Sequence, residues 1–211
     1  MLRFENCTFK AMGQNKKDQV FGITLTGEED IQINDCIFEG IGYSAILNQS
    51  IGNVLISRSI FNCDNLYNPI EGTQVVENGN VTIKDCIFLG TPGNNFINFY
   101  KVKNNSIHKI ENCTFAGQTQ NNILRLSNLN NAISNFNLVN CEYTYTGGEA
   151  DEYIGCILLQ DYTNTNGQKQ NFNNYTITIE NLIKPNNSKL FYVYENDRGI
   201  IDTNDPILIQ K

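Results

Sequence analysis

The sequence contains no tryptophan, one histidine and four prolines among its 211 residues. No stretch approaches the roughly 18 consecutive apolar residues of a membrane-spanning helix, and residues 1–20 lack the basic and then apolar pattern of a secretion signal. Basic residues are few as well, since the sequence has 15 lysines and arginines against 22 aspartates and glutamates, which gives a formal net charge of −7. The longest basic run is Lys16-Lys17. These absences argue against membrane insertion and against a nucleic-acid-binding surface.

Asparagine is abundant by contrast, at about one residue in six, and is accompanied by 16 glycines. Both residue types tolerate the left-handed backbone conformation that tight turns require, so the composition favours repeated turns over long helices. An apolar content of 40% is compatible with a folded core.

A short motif recurs along the chain and consists of an apolar pair, two polar residues, a cysteine and a phenylalanine. Its clearest copies are "IQINDCIFEG" at 31–40 and "VTIKDCIFLG" at 81–90. The cysteine position of six copies is occupied by Cys7, Cys36, Ser59, Cys86, Cys113 and Cys141. A further apolar stretch follows most copies, as in "SAIL" at 44–47. Three short strands per unit of about 27 residues predict one turn of a coil, and such units must stack to bury their apolar faces.

Within each unit the alternation of apolar and polar residues is interrupted once. In the second copy Ile33, Cys36 and Phe38 are predicted to point inward, whereas the adjacent Asn34 and Asp35 both point outward. Two consecutive outward residues predict a bend between two strands. The residue before the cysteine is expected to occupy this tight turn in each copy, at Asn6, Asp35, Arg58, Asp85, Asn112 and Asn140.

The pattern V/I-x-I-x-[N/D]-C-x-F resembles the rung of right-handed parallel β-helices, the pectate-lyase-like superfamily, which also contains surface adhesins and phage tailspikes. The resemblance covers roughly residues 1–160. It implies an all-β, right-handed parallel β-helix (a solenoid) of about 6–8 coils in one domain, with residues 161–211 as degenerate final coils or a cap. It does not imply an activity, because this fold includes enzymes and inert fibres alike.

Five of the seven cysteines share one inward position of the repeat and are therefore predicted to form an internal ladder at a spacing of about 4.8 Å. Parallel side chains at that spacing do not suit disulfide geometry, and the C-x₂₋₄-C pairs typical of zinc sites are missing. We therefore expect the ladder cysteines to act as small buried hydrophobic residues. Cys63 and Cys156 lie outside the ladder, and the sequence does not assign them a role.

The resemblance implies what an enzyme of this superfamily would need: calcium-binding carboxylates on neighbouring coils with a basic residue, or clustered aspartates with Gly-His-Gly and Arg-x-Lys elements. The sequence contains neither constellation. His108 is expected to be a solvated turn residue. Asp35 and Asp85 share one turn position two coils apart, roughly 9.6 Å, which would suit an inverting glycosidase. Because Arg58 lies between them and would lower their pKa values, a surface charge ladder is the preferred interpretation.

The segment 142–153 is the candidate ligand site. Its oxygen ligands could hold Ca²⁺, and its tyrosine rings could stack on sugars, whereas the alternative is a polar loop that closes the regular stack. The candidate residues are Tyr143, Tyr145, Glu149, Asp151, Glu152 and Tyr153. No catalytic residue, metal site or required cofactor is assigned.

The outward residue between cysteine and phenylalanine is isoleucine in three consecutive copies, at Ile37, Ile60 and Ile87. These side chains are predicted to form an exposed apolar stripe that meets a protein partner, lies under a loop or contacts another ligand. Leu2 and Phe4 are predicted to be inward strand residues, so an open first coil could associate with another copy or with the rest of a larger chain.

The sequence therefore favours a non-catalytic structural or binding module of a surface adhesin, fibre or viral tail, which contacts protein or glycan by its lateral face. The alternative is a polysaccharide lyase or glycoside hydrolase acting on an acidic polysaccharide with Glu149, Asp151, Glu152 or Asp161. An immunity or anti-defence protein that occludes a surface is a third hypothesis. The cellular location stays open: a missing signal peptide is compatible with the cytoplasm, whereas an extracellular position is favoured for part of a larger protein.

Overall fold

The computed structural model describes residues 1–72, 75–117, 121–127, 132–146, 155–161, 175–185, 188–195, 198–199 and 208–210. Within these residues the chain winds into a parallel β-solenoid with three sheets and without a helix. No described segment could therefore cross a membrane as a helix. The predicted all-β, parallel β-helix architecture is confirmed.

Most turns of the coil contribute one strand to each of three sheets, which we call A, B and C. Sheet A contains Leu2–Glu5 (β1), Ile31–Asn34 (β4), Val54–Ser57 (β7), Val81–Lys84 (β10), Ser106–Glu111 (β13), Ser134–Val139 (β16), Tyr175–Glu180 (β19) and Leu208–Gln210 (β22). Sheet B contains Thr8–Met12 (β2), Ile37–Ile41 (β5), Ile60–Asn62 (β8), Ile87–Leu89 (β11), Thr114–Gly117 (β14) and Glu142–Tyr145 (β17). Sheet C contains Phe21–Gly27 (β3), Ser44–Ser50 (β6), Ile70–Gly72 (β9), Asn95–Phe99 (β12), Asn122–Ser127 (β15), Gly155–Asp161 (β18), Lys189–Glu195 (β20) and Arg198–Gly199 (β21).

Equivalent positions of successive repeats pair directly with one another. Ile33 pairs with Ile56, Ile56 with Ile83, and Ile83 with Ile110 along sheet A. All described pairings are parallel except that of β20 with β21. The six described strands of sheet B correspond to about five full turns, which is slightly fewer than the 6–8 coils expected.

The tight turn between sheets A and B is made by one residue in the left-handed backbone region. Its φ angle is between 48° and 54° at Asn6, Asp35, Arg58, Asp85, Asn112, Asn140 and Asn181. The predicted turn position is therefore confirmed, and asparagine suits it because its short polar side chain tolerates this conformation. The expectation that Asn34 faces solvent is wrong: its side chain is buried, and its Oδ1 accepts a hydrogen bond of 2.6 Å from Ser57 Oγ.

Columns of identical side chains fill the core. The rings of Phe9, Phe38, Phe61, Phe88 and Phe115 stack with centroid distances of 5.0, 4.6, 4.6 and 4.7 Å. All seven cysteines are free. Five of them share the ladder position, where Cys36 and Cys86 donate to the carbonyl oxygen two residues earlier at 3.2 Å. Ser59 fills the same column and donates to Ser57 O at 2.9 Å. The predicted thiol ladder is confirmed.

The two cysteines outside the ladder are also buried and free. Burial raises the pKa of Cys63 well above its ordinary value and raises that of Cys156 to about 11. Thiols that stay protonated are poor nucleophiles and poor metal ligands, so both act as small apolar core residues. Across the described part of the chain, no group of three His, Cys, Asp or Glu residues is placed to hold a metal ion.

Candidate functional site

The outer face of sheet B carries the predicted apolar stripe, which we call the isoleucine row: Ile37, Ile60 and Ile87. The three residues are direct register partners on β5, β8 and β11. Their exposed fractions are 44%, 39% and 40%. The described structure therefore leaves these side chains open to solvent. Their backbone N–H groups are bonded within the coil stack, so the row offers side chains only.

The same face has further apolar side chains that the sequence pattern did not single out. Leu89 lies two residues along its strand from Ile87, Ile41 lies four residues along its strand from Ile37, and both are exposed. Met12 is exposed beside Ile41 in the register of β2 and β5. Glu39 lies between Ile37 and Ile41 on β5, and its ion pair of 2.7 Å with Lys10 separates the isoleucine row from Ile41 and Met12. The alternation of each strand could have identified these residues, because outward positions recur every second residue.

The predicted ligand segment has only its first two tyrosines in the described structure. Tyr143 was expected to present its ring to a ligand, and this expectation is wrong, because the side chain is fully buried at the phenylalanine position of the repeat. Its hydroxyl donates to Asn121 O at 2.7 Å, and burial raises its pKa. Tyr145 is half-buried, with its ring centroid 5.7 Å from that of Tyr143. The remaining candidates, Glu149, Asp151, Glu152 and Tyr153, lie outside the described residues.

The turn carboxylates are not a catalytic pair. Arg58 donates from Nε to Asp35 Oδ1 at 2.8 Å and from Nη2 to Asp35 Oδ2 at 2.7 Å. These bonds hold the pKa of Asp35 below its ordinary value. Asp85 instead accepts a bond of 3.0 Å from Asn112 Nδ2, at the start of a column of amides that continues through Asn140. The charge ladder is thus confirmed between Asp35 and Arg58, whereas Asp85 is bonded to the amide column.

His108 is a core residue, so its expected role as a solvated turn residue is wrong. It lies on β13 with an exposed fraction of 2%, and its ring centroid is 4.9 Å from that of Phe136 and 4.8 Å from that of Phe99. Burial lowers its pKa to about 3, so the imidazole is neutral near pH 7. The alternation of Ser106, His108 and Ile110 on one side of the strand is the signal that predicts this inward position.

Sheet C carries a buried carboxyl group that the sequence analysis missed. Glu71, Asn98 and Arg125 are register partners on β9, β12 and β15. They lie next to a row of inward apolar residues, which places them on the outer face. The exposed fraction of Glu71 is nevertheless only 5%, and burial raises its pKa to about 7. A single acidic residue in an otherwise apolar strand was the available signal.

Hydrogen bonds hold this carboxyl group in place. Glu71 Oε2 accepts from Ser44 Oγ at 3.1 Å and from Asn68 Nδ2 at 2.8 Å. Asn68 begins a buried amide column, since its Oδ1 accepts from the Asn95 N–H at 3.1 Å. Tyr43 lies nearby with its ring centroid 5.0 Å from that of Tyr67, and burial together with the Glu71 charge raises its pKa. A positioned carboxyl with a pKa of about 7 can donate or accept a proton at neutral pH.

Sheet A presents a shallow groove of about 450 Å³ along its outer face. The lining mixes apolar, amide and charged groups of both signs, which include Gln32, Leu55, Thr82, Lys84, Lys109 and Glu111. Ile107 lies at this groove with an exposed fraction of 41%. It is exposed to the same degree as the isoleucine row but on a different face.

The chain was compared with protein-family models, with curated proteins and with solved structures, and no match was found in any of the three comparisons.

Proposed function

We propose that this chain is a non-catalytic binding module, like the parallel β-helices of surface adhesins, fibres and viral tails, and that it contacts a protein partner through the outer face of sheet B. The isoleucine row carries the proposal. Three β-branched side chains stand in register on a flat face, each about two-fifths exposed. Contiguous exposed apolar side chains of this kind are typical of contact surfaces.

The chemistry of the row favours protein over glycan. Isoleucine offers no hydrogen-bond donor or acceptor, whereas glycan sites combine aromatic faces with polar groups that bind hydroxyls. The ring of Tyr143, the first aromatic candidate, is buried in the core. Aliphatic side chains are complemented by the apolar side chains of another polypeptide.

The row can supply a useful part of a binding energy. Full burial of an isoleucine side chain contributes roughly 1.5–3 kcal/mol, so burying the remaining two-fifths contributes about 1 kcal/mol per residue. Three residues then contribute about 3 kcal/mol, or roughly 100-fold in affinity. The rest of the affinity would come from neighbours such as Leu89 and from the polar border.

A displayed library of random peptides, selected on the purified chain, tests the proposal. We expect selected peptides to bind an Ile60→Thr/Ile87→Thr variant at least tenfold more weakly than the native chain. Threonine already occupies this row at Thr8 and Thr114, so the strands should tolerate it. Ile107→Thr is the matched control and should leave binding unchanged. Peptides that bind the double variant as tightly as the native chain would refute the proposal.

A second candidate function is hydrolysis or lyase cleavage of an acidic polysaccharide, and Glu71 is the observation that favours it. Its pKa of about 7 suits a general acid or base, and Tyr43 and Arg125 provide a hydroxyl and a cation nearby. Turnover of acidic polysaccharides, with and without calcium, is the test. Loss of turnover in Glu71→Gln at unchanged thermal stability would favour the enzyme, and an inactive native chain would favour the binding module.

A further inference from the structure

The isoleucine row has a spacing that selects among the elements a partner could present. Ile37, Ile60 and Ile87 stand on neighbouring strands, about 4.8 Å apart along the solenoid axis. An α-helix lying along that axis presents one face at steps of three and four residues, which rise about 4.5 and 6.0 Å. Side chains on one face of an extended strand are about 6.6–6.8 Å apart, so a strand lying along the same axis would deviate from the spacing of the row by about 2 Å at each contact. The helix therefore stays aligned with the row.

The width of the apolar area also fits a helix. Leu89 lies two residues along its strand from Ile87, so its side chain is about 6.6–6.8 Å from the row, whereas Ile41 lies four residues from Ile37, beyond Glu39. A helix about 10–12 Å in diameter covers the row and Leu89 at once. Addition of a partner strand to the sheet is not the contact mode on this face, because the backbone groups of the row are bonded to neighbouring coils.

The small area argues against a second solenoid as the occupant. The row spans roughly 10 Å along the axis, and Leu89 adds about 7 Å of width beside Ile87. A stable interface usually buries about 800 Å² on each partner, which is roughly ten times this footprint. One secondary-structure element matches the area, whereas a second copy of sheet B would place polar border residues against each other.

The line of residues that contains the row ends in an acidic side chain. Glu142 is exposed in this line, next to Thr114 in the register, whereas Glu39, two residues along β5 from Ile37, is paired with Lys10. The chain as a whole has a formal net charge of −7. Basic residues on either side of an apolar stripe would complement this charge and speed association.

From these observations we infer that the partner is a basic amphipathic α-helix that lies along the solenoid axis over the isoleucine row. The inference rests on the proposed function of sheet B and adds the class of partner. It assigns Ile60 the central contact, since this residue has a row member on each side.

Two fluorescent peptides of about 20 residues provide the test, with identical composition of leucine, lysine, alanine and glutamine. One places leucine at steps of three and four residues, and the other places it at every second residue. Fluorescence anisotropy would measure both against the native chain, Ile60→Thr/Ile87→Thr and the control Ile107→Thr. We expect the helix-patterned peptide to bind the native chain at least tenfold more tightly than its isomer, and to lose at least tenfold on the double variant alone.

The other possible results separate failure of the helix inference from failure of the proposed function. Tighter binding of the strand-patterned peptide, with dependence on Ile60, would overturn the helix and leave sheet B as the contact face. Equal affinity of a peptide for the native chain and the double variant would overturn the helix inference, and so would the absence of binding by both peptides. The library selection then tests the proposed function separately. A native dimer in sedimentation that the double variant abolishes would make a second copy the occupant. Circular dichroism confirms that each variant is folded, and single Ile60→Thr replaces the double variant where it is not.

Discussion

Replacement of Glu71 by glutamine should make the protein more stable at neutral and alkaline pH and change its pH dependence. Glutamine has the same size, and its oxygen can still accept from Ser44 and Asn68. It cannot ionise, so the cost of a buried negative charge disappears. The difference between the native chain and the variant should therefore grow as the pH rises.

The sign and size follow from the pKa of Glu71, which burial raises from an ordinary value of 4.5 to about 7. Between these values the folded state holds a proton that the unfolded state has released, so the free energy of unfolding falls as the pH rises. The stabilising contribution of protonated Glu71 is complete below pH 4.5, is lost between pH 4.5 and 7, and stays absent at higher pH. At about 1.4 kcal/mol per pH unit, the loss is roughly 3 kcal/mol.

Urea denaturation of the native chain and of Glu71→Gln, at intervals from pH 4.5 to pH 8.5, measures this difference. Glu142→Gln on the exposed face is the matched control and should track the native chain throughout. An unfolding free energy for Glu71→Gln that runs parallel to the native curve across this range would refute the reasoning. It would mean that the carboxyl group has an ordinary pKa and is not held in a dry site.

The remaining predictions concern the core and the turn. Phe61→Ala removes a ring stacked on both sides at 4.6 Å and should cost about 3–5 kcal/mol in chemical denaturation, and a loss below 1 kcal/mol would contradict the stacked column. Ser59→Cys completes the thiol ladder and should change the unfolding free energy by less than about 1.5 kcal/mol, whereas a fall of 3 kcal/mol would show that the hydroxyl is essential. Arg58→Val should lower the melting temperature more than Arg58→Asn, because a β-branched residue resists the φ of 48° at this turn, and the reverse order would contradict that backbone conformation.

The repeat made most of the fold predictable. A cysteine and a phenylalanine that return with their flanking apolar residues can only be buried together if equivalent positions stack, and the register of Phe38 with Phe61 shows that they do. The isoleucine row was predictable for the same reason. The left-handed turn was predictable because asparagine and aspartate occupy it in most copies.

The rest depended on contacts that one repeat does not encode. Tyr143 resembles a surface tyrosine in a polar segment, yet its register with Phe115 places it in the aromatic column. The neighbouring Lys109 favours a solvated position for His108, but strand alternation turns the imidazole inward. Glu71 gave no signal as a proton donor, since its pKa depends on burial and on Ser44 and Asn68 from separate segments.

Methyl NMR of isoleucine-labelled protein, titrated with a peptide selected from the library, tests most directly whether sheet B is the contact face. The signals of Ile37, Ile60 and Ile87 should shift together and saturate at one dissociation constant, while those of Ile107 on sheet A and of the buried Ile83 stay in place. Shifts confined to Ile107 or to other faces, with the three row signals unmoved, would contradict the account.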